Sequence, residues 1–215
     1  MKIFVDSADV AEIRQARAMG LADGVTTNPT LIAKAGVDLE KTIRAIAEVV
    51  PGPVNAEVTA LEAPAIIAEG KRFAAWGKNV HVKIPLNHDG LVATRALASE
   101  GIPTTLTLVF SPAQAILAAA AGASWICPFV GRLDDISFDG GQLLSDIVAI
   151  YRNDADWSTK VLAASLRHPV HVIQAALCGC DAVTIPFSVV RQMEGHPLTE
   201  RGIAQFIADS KKGKG

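Results

Sequence analysis

The stretch Val80-His81-Val82-Lys83-Ile84-Pro85 decides how the chain is read. It is a short apolar run of strand length, of the kind that parallel strands show when both faces are covered. Similar runs recur from end to end: Lys2–Val5, Gly24–Thr27, Val54–Thr59, Thr104–Leu108, Trp125–Pro128, Lys160–Ala164 and Ala182–Ile185. With Val80–Ile84 they make eight expected strands. Stretches with apolar spacing near 3.6 separate them. The first carries Val10, Ile13, Arg14 and Arg17 on one turn-to-turn row, and the rest are Leu39–Val50, Pro64–Ala75, Leu91–Ser99, Pro112–Ala121, Gly140–Arg152, Val170–Leu177 and Ile203–Ser210.

Eight strands alternating with helices in 215 residues fit a closed parallel (β/α)8 TIM barrel, a single domain over residues 1–215 with a C-terminal helix. A doubly wound open sheet fits less well. It places a Gly-rich phosphate turn after its first strand, whereas here the first strand runs into Asp6-Ser7-Ala8-Asp9. Half of the residues are hydrophobic and only 5% aromatic, so the core must be built from Ala, Val, Ile and Leu. The tail Lys211-Lys212-Gly213-Lys214-Gly215 is expected to be disordered.

Composition also narrows function. A net charge of −2 gives no electrostatic case for nucleic acid. The apolar run around Ala115–Ala121 is far too short to span a membrane, and Met1–Gln15 has no targeting pattern. Three cysteines, Cys127, Cys178 and Cys180, make an odd set without framework spacing, which points to reduced thiols and a cytoplasmic protein. Cys178-Gly179-Cys180 lacks a second Cys/His pair, and no His spacing suggests a ligand set, so neither metal nor cofactor is expected.

Side chains at the C-terminal strand ends build the active site of a barrel. Here those ends carry Asp6; Thr26, Thr27 and Asn28; Glu57 and Thr59; Lys83; Thr105 and Thr107; then Arg132, and Ser165 with Arg167. Lys83 is the most informative. Burial in an apolar strand should lower its pKa, leaving some free amine that can attack a ketone to form an imine. The other reading is a structural ion pair with Glu57. His81, on the same strand face, reads as a satisfied core histidine or else as a partner behind the site residues. Asp6 is either an acid/base group or, with Ser7, the cap of the following helix. Glu57 and Thr107 can hold a water near Lys83. Arg132, Ser165 and Arg167 suit a phosphate near a helix N-terminus, unless Arg132 pairs with Asp134 or Asp135 on the surface.

The stretches FVDSA (4–8), GVTTNPTLIAK (24–34), VNAEVTA (54–60), VHVKIPLNHDGL (80–91), GIPTTLTLVFSPAQA (101–115), ICPFVGRLDD (126–135) and VLAASLR (161–167) resemble, in order, the small-subunit transaldolases, the group that includes the fructose-6-phosphate aldolases. The resemblance implies a Schiff-base enzyme of the pentose phosphate pathway that moves a dihydroxyacetone unit between phosphorylated sugars. Lys83 would form the imine and Asp6 would be the acid/base. Glu57 and Thr107 would position water. Asn28, with Thr27, Thr105 and Phe129, would meet the substrate. Arg132, Ser165 and Arg167 would hold phosphate. It also implies a homo-oligomer, pentameric or decameric, with C-terminal helices crossing between subunits. Glu57, Phe129 and Arg167 resemble transaldolases, where the aldolases have Gln, Tyr and often Lys. Thr105, Cys127, Asn87, Asp89 and Thr30 depart from the usual pattern.

Overall fold

Eight parallel strands close on themselves in the order β1 to β8 in the computed structural model, which describes residues 1–212. The chain runs β1 (Lys2–Asp6), α1 (Val10–Ala18), β2 (Gly24–Thr26), α2 (Pro29–Ala35), α3 (Leu39–Val49), β3 (Val54–Glu57), α4 (Ala63–Ala74) and β4 (Val80–Pro85). It continues α5 (His88–Ser99), β5 (Thr104–Val109), α6 (Pro112–Ala120), β6 (Trp125–Pro128), α7 (Val130–Asp134) and α8 (Gly140–Arg152). It ends β7 (Lys160–Ala163), α9 (Pro169–Cys178), β8 (Ala182–Ile185), α10 (Phe187–Glu194) and α11 (Pro197–Lys212). This is the expected TIM barrel. The helices α2, α7 and α10 come in addition to those expected. Lys211 and Lys212, expected in a disordered tail, belong to α11, while residues 213–215 lie outside the described part.

Strand alternation divides the apolar residues into two cores. One faces outward under the helices and includes Val82, Ile84, Leu106, Ile126 and Val183. The other fills the barrel interior, with Phe4, Trp125, Cys127, Phe129, Leu162, Ala164 and Ala182. Phe4 and Trp125 meet at 5.5 Å between ring centroids. Gly24 makes room for this layer. A Cβ there would lie 2.6 Å from the Phe4 ring and 2.7 Å from the Pro53 carbonyl, so large and small residues alternate around the interior.

His81 lies two residues before Lys83 on β4. Contrary to the expectation of a satisfied histidine, its Nδ1 has no hydrogen-bond partner. Burial lowers its pKa to about 4 from 6.5. The unfolded chain therefore takes up this proton first. The stabilising contribution is complete above about pH 6.5 and is lost as pH falls toward 4, a loss of about 3 kcal/mol at most. Urea unfolding of wild type and His81→Phe at pH 7 and pH 4 should show the variant losing less stability by about that amount. Equal losses would contradict this account.

Candidate active site

Register sets the centre of the site. Glu57 lies beside Lys83 across β3 and β4, and Thr105 lies beside Lys83 on β5. Lys83 is only 4% exposed. Its Nζ stands 3.1 Å from Glu57 Oε2 and donates to the Thr27 carbonyl at 3.1 Å. Burial pulls its pKa down, but Glu57 above all, with Cys127 and Asp6 beside it, outweighs that, so the net direction is up. This corrects the expectation that burial alone leaves free amine. The resting ammonium must pass a proton to a neighbouring carboxylate before it can act as a nucleophile.

Asp6 does not cap α1. Asp9 does, accepting from the Ala11 and Glu12 amides, and Ser7 bonds Asp9 N and Glu12. The capping alternative is thereby removed. Asp6 instead turns into the barrel, where Thr26 Oγ1 donates to its Oδ1 at 2.7 Å. Thr184 Oγ1 lies 2.6 Å from Thr26 Oγ1. With the Thr26 proton directed at Asp6, Thr184 must be the donor to Thr26. Burial raises the Asp6 pKa, opposed by Lys83 and by the Thr26 hydrogen bond. A carboxyl that is pushed upward yet sits among charges is suited to taking and returning a proton.

These groups line a cavity of about 330 Å³. Of the residues expected at the site, Asp6, Asn28, Glu57, Lys83, Thr107, Phe129, Arg132 and Ser165 line it. Thr107 Oγ1 is buried without a partner. Leu108 has φ 59° and the β5–β6 register shifts between Leu106 and Val109, so Thr107 and Leu108 both reach the cavity although consecutive. Asn28 caps α2, its Oδ1 accepting from Leu31 N at 2.9 Å. That leaves its side-chain NH2 free to donate. Burial pushes the Cys127 thiol up to about 12, so the sulfur stays protonated in the cavity wall.

Three expected contacts are placed elsewhere. Thr27 Oγ1 donates to the Asn55 carbonyl at 2.8 Å, and only its own carbonyl serves the centre, through Lys83. Thr105 is fully buried below the cavity, its hydroxyl unpartnered. Arg167 stands at the rim, where its guanidinium pairs with both oxygens of Asp135, at 2.6 Å to Oδ2. The surface pairing considered for Arg132 is thus made by Arg167. Arg132 lies instead over the Phe129 ring at 4.8 Å from its centroid. Thr184 was missed by the sequence reading, which took the polar residues that close strands. Alternation from the middle of β8 would have found it.

Ser165 has φ 58°, a left-handed conformation that a non-glycine residue keeps only when its surroundings enforce it. Its carbonyl accepts from Gly131 N at 3.0 Å. A Cβ on Gly131 would fall 2.5 Å from that carbonyl and 2.8 Å from Arg167 Nε, so only glycine allows α7 this close to the loop after β7. Gly131→Ala should destabilise the fold by about 1–3 kcal/mol through overpacking. Urea unfolding checks this, and an unchanged stability would contradict it.

Among the described residues no three His, Cys, Asp or Glu cluster as a metal set, and no helix is long and apolar enough to cross a membrane. The cysteines are free, and Cys180 is buried behind the αL cap Gly179 of α9.

Residues 3–213 match the family model described as transaldolase/fructose-6-phosphate aldolase. The chain is 54% identical over 214 residues to a protein of Desulfatibacillum aliphaticivorans named a probable transaldolase, covering 100% of both. A protein of the same name from Sorangium cellulosum is 55% identical over 212 residues, covering 99% of this chain and 98% of that one. Among solved structures, a mandelate oxidase superposes with a TM-score of 0.63 at 18% identity, over 86% of this chain and 64% of that one, which is a likeness of fold alone.

Proposed function

The chain belongs to the transaldolase/fructose-6-phosphate aldolase family, and from that premise we propose that it transfers a dihydroxyacetone unit from sedoheptulose 7-phosphate to glyceraldehyde 3-phosphate, giving erythrose 4-phosphate and fructose 6-phosphate through an imine on Lys83. The observation that carries this reading is Lys83 itself, buried at the cavity floor between Glu57 and the Thr27 carbonyl, with Asp6 close enough to act on its charge.

The steps follow from the groups present. Lys83 passes a proton to a carboxylate beside it, and the free amine adds to the ketone. Water leaves and an iminium forms. Asp6 removes the proton of the C4 hydroxyl as the C3–C4 bond breaks, the aldose phosphate departs, and the electron pair stays as an enamine on Lys83. The acceptor aldehyde enters, the enamine carbon adds to it, and Asp6 returns the proton to the new hydroxyl. Water held by Glu57 and Thr107 then hydrolyses the iminium. Arg132 and Ser165 receive the phosphate, and Asn28 donates to a sugar hydroxyl.

Phe129 supports transfer over release. It offers no hydroxyl beside the enamine, and its ring lies under Arg132 and edge-on to Phe110 at 5.7 Å, so the intermediate is sheltered from protonation until an acceptor arrives. Glyceraldehyde 3-phosphate and free dihydroxyacetone measured from fructose 6-phosphate, with and without erythrose 4-phosphate, test this. Turnover only with the acceptor is expected. Acceptor-free release at a comparable rate would make the protein a fructose-6-phosphate aldolase.

The same reading makes the protein a cytoplasmic homo-oligomer. The helix α11 has no buried residue, and Ile203, Phe206 and Ile207, which share one face of it, are more than half exposed. A second copy of the chain covers this apolar face in the assembly we propose.

A further inference from the structure

We propose that His171 is a positioning residue for the phosphate end of the cavity, clamping the loop that presents Ser165 to the helix that presents Arg132. The proposal rests on the sugar-phosphate reading above and adds a residue to it.

His171 sits in the first turn of α9 with its side chain buried. Its two ring nitrogens face two different elements. Nδ1 accepts from the backbone N–H of Arg167 at 3.2 Å, and Nε2 lies 2.8 Å from Asp134 Oδ2. Because an N–H donates to Nδ1, the ring proton must be on Nε2, directed at Asp134. The imidazole is therefore a neutral bridge with a fixed tautomer. Burial, the neighbouring His168 ring and Arg167 lower its pKa against the pull of Asp134, which keeps Nδ1 an acceptor. Asp134 ends α7, two residues after Arg132, and its other oxygen accepts from Gly140 N at 3.0 Å.

The bridge has something to hold. Ser165, two residues before Arg167, carries the left-handed backbone that aims it at the cavity. Such a conformation persists where surrounding bonds over-determine it. Beyond Ala164, the loop is restrained by the bonds from Gly131 N to Ser165 O and from Arg167 N to His171 Nδ1. The Asp135–Arg167 pair is solvent-exposed and screened, so it adds little fixed geometry. Without His171 the loop loses its buried anchor and α7 loses its tie to α9. The imine centre on β1, β3 and β4 contains none of these groups.

The expected result is a split between binding and chemistry. In His171→Phe, KM for fructose 6-phosphate should rise about tenfold, the loss of roughly one hydrogen bond's worth of positioning, with kcat within about twofold. Kinetic values for unphosphorylated fructose should not change, nor should borohydride trapping of dihydroxyacetone on Lys83, which also reports that the variant is folded. His171→Asn places an amide oxygen near the position of Nδ1 and should recover most of the affinity, whereas His171→Gln reaches toward Asp134 and should not. An unchanged KM for fructose 6-phosphate in His171→Phe would overturn the proposal, as would an equal rise for fructose. Calorimetry with inorganic phosphate separates this from the reaction. Weaker phosphate binding in His171→Phe supports the clamp even if wild type formed no adduct on Lys83, an outcome that would sink the imine reading alone.

Discussion

Replacing Lys83 by Met should abolish transfer, lowering kcat by about 10⁴-fold or more, because the group that forms the covalent intermediate is gone while the cavity keeps its shape. No adduct should form with dihydroxyacetone and borohydride. The same change should destabilise the protein. Glu57 reaches Lys83 at 3.1 Å with both side chains largely buried, and removing one partner leaves the other's charge unpaired, at a cost of about 3 kcal/mol. Pairing the change with Glu57→Gln should recover much of that stability and none of the activity. Urea unfolding of the single and double variants separates the two effects. A Lys83→Met protein as active as wild type would remove the basis of the mechanism.

Asp6→Asn should behave differently. The amide keeps the shape and still accepts from Thr26, but it cannot take up the proton that carbon–carbon cleavage releases. The expected fall in kcat is about 10³-fold, within the range for loss of a general acid/base. Imine formation should survive. Asp6 raises the Lys83 pKa, so neutralising it makes the amine easier to free. Trapping of dihydroxyacetone on Lys83 should therefore be at least as fast as in wild type. A variant that loses trapping and turnover together would show that Asp6 acts on the imine and not on the bond cleaved.

The barrel was legible because each strand is a short apolar run set between stretches of helical period. Trp125–Pro128 and Ala182–Ile185 were read to the residue. The short helices were not. α7 has five residues and α2 seven, less than two turns, too few to show a 3.6 period, although Asn28-Pro29 carries the cap-then-proline signal. At the site, Lys83 stood out because a lysine in an apolar strand needs a reason. The direction of its pKa did not, since it depends on the balance of burial against carboxylates from β1 and β3. Arg167 was read as a phosphate ligand from its place two residues past Ser165. Its pairing with Asp135, 32 residues away, depends on how α7 meets the loop after β7. Thr27 sits at the right height but, one residue past Thr26, faces away from the cavity, whereas Thr105 faces the interior with Thr107 but two residues lower, beneath the cavity.

The most direct test of the central claim is borohydride reduction of the wild-type protein with fructose 6-phosphate, followed by mass spectrometry of the peptides. The account predicts a single reduced adduct carrying the dihydroxyacetone unit, located on Lys83 and absent from Lys83→Met. An adduct on another lysine, or none while turnover proceeds, would contradict it.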